Sequence, residues 1–441
     1  MPRHRPRTTT APPAARIPRR PETGDMRRKL VIVGAGMAAA YVLQELAQLE
    51  HDLDVTVIGD ETEACYNRVL LSNVLAGENS EADLAMLEPA MLEPAMPETD
   101  SPETDSPGTV QFVTGTRVSA IDTDARTARC ADGSEHPFDA LVFATGAGVA
   151  RPGVDCSGII GVEVFRTLRD ARELRALPAR GRRALVVGAG LLGLEAAHGL
   201  NELGFDTRVL HRNPVIMNRQ LDTEGGAQLQ RDLEARGIHF DLGVQIAGVA
   251  ADDNGRLCGV TLDNGERLPA DLLLFATGIT PNIELAAQAG IATARGIRVD
   301  ERLRTSAPGV YALGECSQFG EHCFGLVAPI REQAAVLAAQ LAGVQHPPFC
   351  LQDYPTQLKI SGVEIYRAGE LDDAAEQLVL RGNGVYRRLV LRDNRLVGAV
   401  LVGDKRGGTW YSELISGGGE IGALRAGLIF GRDVSEALAA A

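Results

Sequence analysis

Two glycine-rich stretches are the parts of this chain best suited to chemistry. Gly34-Ala35-Gly36-Met37-Ala38-Ala39 follows the apolar run LVIV, and Gly188-Ala189-Gly190-Leu191-Leu192-Gly193 follows ALVV. In each, the first glycine permits a tight turn and the second lets backbone approach a pyrophosphate. The third small residue, Ala39 or Gly193, allows a helix to pack closely on the preceding strand. Each pattern opens an Ala/Leu-rich stretch, so an anion would sit at a helix N-terminus, where free N–H groups and the dipole favour negative charge. After the first loop, a strand over 54–58 ends in Gly59-Asp60-Glu61, which places an acid where a ribose hydroxyl would be bound. After the second, a strand over 207–210 ends in His211-Arg212. A carboxylate there would hold a 2′-hydroxyl, whereas an arginine accommodates a 2′-phosphate. Arg212 therefore tips the expectation toward NADPH over NADH, with the choice left open.

The elements that would position these loops follow from alternation. Apolar runs stopped by glycine, each followed by a helical pattern, are the signature of βαβ units in a parallel sheet. The whole reads as α/β, with two Rossmann-like dinucleotide-binding domains. From about Pro347 the pattern changes to short β-rich pieces. VYRRLVLRDNRLVGAVLVG (385–403) predicts an antiparallel hairpin around Asp393-Asn394, within a small C-terminal α+β domain. Residues 1–26, rich in Arg, Pro and Thr, are expected to be disordered, and Met26 leads straight into the first strand as an alternative start. Residues 85–108 carry AMLEP twice and PETDS twice and read as a solvated low-complexity insertion outside any packed core. The expected division is 27–147, 148–277, 278–346 and 347–441, the first and third forming one domain around the second.

Composition excludes several function classes. A net charge of −14 argues against a nucleic-acid surface, which needs Lys and Arg in excess. No apolar run is long enough to span a membrane, and the expected location is cytoplasmic. The seven scattered cysteines form no CxxC pair, so neither a disulfide framework nor a metal site built from local cysteine pairs is expected.

Further motifs carry a resemblance. Phe143-Ala144-Thr145-Gly146 and Phe275-Ala276-Thr277-Gly278 match the turns that end each domain in the two-dinucleotide-fold flavoprotein reductases. The stretch Thr305 to Cys316, with Gly314-Glu315, is similar to that family's late FAD motif, although Glu315 stands where most members have Asp. The resemblance implies FAD on the first loop and NAD(P)H on the second. It implies FAD contacts from Gly34, Gly36, Ala39, Asp60, Glu61, Arg68, Thr145, Gly146, Gly314 and Glu315. For NAD(P)H it implies Gly188, Gly190, Gly193, His211, Arg212, Thr277 and Gly278, with Glu195 near the contact between nicotinamide and flavin. No metal ligand is implied.

Disulfide-reducing members carry a CxxxxC pair, and a peroxidase-like branch carries one redox cysteine after the first acid. The corresponding stretch from Cys65 to Glu78 has no cysteine after Arg68. Cys65 and Cys316 are read as small packed residues, and no thiolate chemistry is expected. Ferredoxin reductases of this type read LSK where this chain has Leu71-Ser72-Asn73. The string YNRVLLSNVLAGE, and those at His211–Asp222, Gly325–Pro329 and Lys359–Glu364, instead resemble the amino-terminal flavoprotein part of assimilatory NAD(P)H nitrite reductase large subunits. No counterpart of the cysteine-rich iron–sulfur and sirohaem segments of those subunits is expected within these 441 residues. The resemblance thus implies an enzyme that takes hydride from NAD(P)H and passes electrons to a separate acceptor protein, a nitrite or nitrate reductase component. A rubredoxin or ferredoxin reductase is the neighbouring reading, and a non-catalytic flavoprotein scaffold is the alternative from another class. Trp410 and Tyr411 are read as core packing, with a homodimer contact as the other option.

Overall fold

A computed structural model describes residues 27–87, 109–150, 153–178, 181–352, 354–358, 360 and 362–440. The expectations for residues 1–26 and 88–108 lie outside the described residues. Residues 85–87, assigned above to the solvated insertion, are part of the fold. Leu87 is buried in the first core, Met86 packs against it, and the Met86 carbonyl accepts from Gln44 Nε2 at 2.6 Å. Met86 and Leu87 are apolar and join the core.

Two five-stranded parallel sheets dominate. The first runs Val310–Ala312, Ala140–Phe143, Arg28–Val33, Leu53–Ile58, Val110–Val113. The second runs His239–Leu242, Asp206–His211, Arg183–Val187, Leu272–Phe275, Val162–Val164. In both, the strand feeding a glycine loop is the middle one. Its residues form a nearly continuous apolar run because a parallel sheet is covered on both faces. The second fold is inserted into the first: the chain leaves through Ala147–Val149 and returns through Ile279–Pro281, and these two strands pair antiparallel.

The C-terminal residues form a five-stranded antiparallel sheet, in the order Thr356–Gln357, Ile365–Gly369, Arg395–Val402, Val385–Arg392, Glu376–Gly382. Asp393 and Asn394 both take positive φ, 49° and 56°, in the two-residue turn between paired Arg392 and Arg395. Strand alternation gives the sheet two working faces. Leu389, Leu391, Ala399 and Leu401 pack with Trp410 and Tyr411 of the helix Gly408–Gly417. Tyr386, Val400 and Val402 instead join the core of the second dinucleotide fold. That core also takes Leu71, Val74 and Leu75 from the short helix Leu71–Ala76, which precedes the second fold in sequence. No helix among the described residues is long and apolar enough to cross a membrane.

Candidate functional site: two glycine loops and the face between them

Gly34 ends the first central strand with φ +112°, and a Cβ there would lie 2.2 Å from the Ala144 carbonyl oxygen. The turn is therefore pressed against Ala144-Thr145-Gly146. Gly36 then caps the helix Met37–Leu46 without any side-chain bond, leaving the N-terminal N–H groups to other partners. A Cβ on Gly36 would meet only the Arg68 guanidinium, at 3.8–3.9 Å. Ala39 is fully buried on that helix. The second loop repeats the design. Gly188 has φ +115° and a Cβ would lie 2.4 Å from the Ala276 carbonyl, while a Cβ on Gly190 meets nothing within 4 Å. Gly193 has no room for a Cβ, which would fall 2.0 Å from the Gly188 carbonyl.

Charged groups cluster around the first loop. Glu61 accepts from the Tyr66 hydroxyl at 2.6 Å and pairs with Arg68. Arg68 lies over the Tyr66 ring, 5.0 Å from its centroid, and donates to the Arg166 carbonyl at 3.2 Å. Burial first, then the Glu61 carboxylate, pushes the Tyr66 phenol up. The Arg166 guanidinium pairs with Glu315 and donates to the Ala147 carbonyl at 3.2 Å. Both Glu315 and Arg166 lie beside Gly146, whose φ is +63°. Gly314 donates its N–H to Gln333 Oε1 at 2.8 Å. Gln333 is fully buried, and its Nε2 has no hydrogen-bond partner among the described residues. Asp60 stands apart, exposed and paired with Arg117 at 3.0 Å. A helix N-terminus without a side-chain cap, two carboxylate-paired arginines and an orphaned buried donor beside Gly314 fit a large dinucleotide with a phosphate and a polar chain.

The two ATG turns brace the linkers. Thr145 Oγ1 donates to the Asn282 carbonyl at 3.0 Å, and Asn282 Nδ2 returns a bond to the Thr145 carbonyl at 2.8 Å. Thr277 Oγ1 donates to the Ala150 carbonyl, and Gly278, at φ +117°, has open space where a Cβ would be.

Where the two folds meet, Glu195 of the helix Leu191–Glu202 is buried, and Ser72 Oγ donates to its Oε2 at 3.2 Å. Gly199 of the same helix lies against Leu75, where a Cβ would come within 2.8 Å. Asn73 turns away, donating from Nδ2 to Glu78 at 3.0 Å, and His198 Nε2 faces the other Glu78 oxygen at 3.4 Å. At the second loop, His211 Nδ1 accepts from the Ala189 N–H at 3.3 Å and its Nε2 faces Asn218 Oδ1 at 3.3 Å. Burial lowers the His211 pKa below the usual imidazole range. His211 is thus a strut between loop and strand, and exposed Arg212 is the charge presented outward.

The structure therefore gathers Gly34, Gly36, Glu61, Arg68, Gly146, Gly314 and Glu315 around one loop, and Gly188, Gly190, His211 and Arg212 around the other. Sequence reasoning missed Arg166, Ser72, Asn282 and Gln333. Only Ser72, adjacent to Asn73 in the quoted string, left any local signal.

Two parallel nucleotide folds joined by paired linkers, with one helix of the second facing a helix of the first, define an oxidoreductase that passes electrons between two bound dinucleotides. The chain belongs to the pyridine nucleotide-disulphide oxidoreductase family, whose sequence pattern matches residues 28–340, and it is an FAD- and NAD(P)H-dependent member. Residues 355–418 match the rubredoxin NAD+ reductase C-terminal domain. The chain is 36% identical over 397 residues to NAD(P)H nitrite reductase of Bacillus subtilis (strain 168), covering 88% of this chain and 47% of that protein. It is 35% identical to the assimilatory nitrate reductase electron transfer subunit of the same organism, covering 86% and 48%. It thus spans about half the length of these curated relatives. Among solved structures, a ferredoxin reductase from Rhodopseudomonas palustris superposes with a TM-score of 0.72 at 28% identity, covering 85% of this chain and 91% of that one.

Proposed function

We propose that this chain takes an electron pair from NAD(P)H onto its FAD and delivers it to a separate acceptor protein serving nitrite or nitrate assimilation. The observation that carries the reading is the buried Ser72–Glu195 bond, which holds the helix opening at Gly190 against the flavin-side helix Leu71–Ala76. FAD would be held by Gly34, Gly36, Ala39, Asp60, Glu61, Arg68, Thr145, Gly146, Gly314 and Glu315, with Arg166 as an addition. NAD(P)H would be held by Gly188, Gly190, Gly193, His211, Arg212, Thr277 and Gly278. The bound flavin supplies the hydride-accepting and electron-storing chemistry. The protein's part is orientation and exclusion of water. The two glycine loops fix the pyrophosphates, Glu195 lies at the face between the folds, and Arg68 and Arg166 exchange their carboxylate partners for phosphate.

The reading is supported by the likeness to an electron transfer subunit of nitrate assimilation. A second reading, reduction of rubredoxin, is favoured by the match at residues 355–418. Anaerobic addition of NAD(P)H to the yellow protein should bleach its visible flavin absorbance, and a spectrum that does not change would sink the electron-transfer reading. Reoxidation by a purified nitrite or nitrate reductase component, faster than by rubredoxin, separates the two acceptors.

A further inference from the structure

Asp222 closes the segment that begins at His211 and caps the helix Thr223–Glu234, its Oδ1 accepting from the Gly225 N–H at 2.8 Å. Its other oxygen is committed elsewhere. Oδ2 accepts from the Tyr386 hydroxyl and from Arg388 Nη1, each at 2.8 Å. Tyr386 and Arg388 stand two residues apart on the strand Val385–Arg392, hence on one face, the face toward the second fold. Arg388 is 3% exposed, and its Nε has no hydrogen-bond partner among the described residues. Its second amine reaches Asp373 at 2.7 Å, but that side chain is largely solvent-exposed. The same amine donates to the Asp372 carbonyl at 3.2 Å, so Asp222 is the part-buried carboxylate on this buried cation. Between His211 and Asp222, Met217 donates its N–H to the Ala189 carbonyl at 2.8 Å, inside the second glycine loop. Ile216, Met217 and Leu221 share a core with Tyr386. The Tyr386 ring covers the helix's first turn, 3.3–3.4 Å from where a Cβ on Gly225 would stand.

We infer that Asp222, Tyr386 and Arg388 are positioning residues for the coenzyme: through them the C-terminal sheet sets the place of the segment His211 to Leu221, and so of the adenosine-ribose end of the second site. The segment is tied at one end to the glycine loop through Ala189 and at the other to a different sheet through Asp222. A shift at Asp222 is passed toward His211 and Arg212 because Ile216, Met217 and Leu221 anchor the segment in the core and the Met217–Ala189 bond ties it to the glycine loop. The inference rests on the second loop binding NAD(P)H.

Steady-state kinetics of the flavin-loaded full chain with ferricyanide as acceptor test it. Asp222→Asn keeps an oxygen for the Gly225 cap and removes the acceptor for Tyr386 and Arg388. It should raise KM for NAD(P)H about fivefold or more, with kcat within about twofold and FAD content unchanged. Tyr386→Phe, which deletes one donor, should raise KM about twofold. Arg388→Lys should recover part of what Arg388→Met loses, since charge is kept but the two-amine geometry is not. An unchanged KM in Asp222→Asn and Arg388→Met, with a lowered Tm, would reduce the cluster to a stability contact and overturn the inference. If Asp222→Asn does not fold, an unchanged KM in Tyr386→Phe overturns it equally. Failure of the electron-transfer reading looks different: the wild-type flavin would then not be bleached by NAD(P)H.

Discussion

The two glycine loops share their backbone and differ in what surrounds it. Gly34 and Gly188 take nearly the same φ and press against equivalent carbonyls, Ala144 and Ala276. These first glycines make the turn whether or not a ligand is bound. The second glycines separate the loops: Gly36 is roofed by Arg68, and Gly190 faces open space. The third positions also diverge, because the first helix accommodates the Cβ of Ala39 and the second cannot accommodate one at Gly193. The first site is thus lined with paired charges from distant segments, Glu61–Arg68 and Glu315–Arg166, while the second presents His211, held to Asn218, and the exposed Arg212. A site meant to keep its ligand can be enclosed; a site that exchanges its ligand at each turnover needs an open approach.

The strongest way to break this comparison is at a first glycine. Gly188→Ala places a side chain at positive φ, costing about 1–2 kcal/mol, and drives it into the Ala276 carbonyl, for a total loss of about 3 kcal/mol or more. Chemical denaturation should show the loss without any cofactor, and a stability equal to wild type would mean the turn is not strained. At the second glycines the effects should dissociate. Gly36→Val should fold and purify colourless, because its side chain meets only the end of Arg68 and blocks the pyrophosphate. Gly190→Val should stay yellow yet resist bleaching by NAD(P)H. Full flavin occupancy in Gly36→Val would remove FAD from this loop.

Smaller effects sharpen the contrast. A guanidinium on a 2′-phosphate is worth roughly 1.5–3 kcal/mol when well placed. Arg212 is exposed, so Arg212→Ala should raise KM for NADPH by about three- to tenfold, with NADH nearly unchanged. Equal losses with both coenzymes would show that Arg212 does not read the 2′ position. The smallest expected effect is none. Burial pushes the Cys65 thiol up to about 12 and raises that of Cys316 as well, so both stay protonated and shielded near neutral pH. Alkylating the exposed Cys258 and Cys350 should leave bleaching by NAD(P)H intact. Loss of bleaching in step with modification of Cys65 would restore thiol chemistry to this branch.

What the sequence disclosed was local. Both glycine loops, the strands feeding them and the Asp393-Asn394 hairpin are set by residues within a few positions of each other, where turn chemistry and periodicity act. The acid after the second strand of the first fold was legible as a type, but not its environment: Asp60 faces Arg117 near the surface, and Glu61 turns to Arg68. Arg166 reaches Glu315 across 149 positions, and Ser72 reaches Glu195 across 123. No periodicity encodes such pairs, since they depend on how the second fold is set into the first. The docking of the C-terminal sheet escaped for a related reason. Val400 and Val402 read as strand residues either way, and only their partners reveal that one face belongs to another fold's core.

The paired linkers have a consequence for how such a chain is assembled and could be altered. Because Ala147 and Pro281 are register partners in one antiparallel ribbon, the entry and exit of the inserted fold are adjacent. Everything between them is topologically a cassette, closed at its base like the stem of a hairpin. A foreign nucleotide-binding unit with similarly adjacent ends could be exchanged at that stem without rethreading the host sheet.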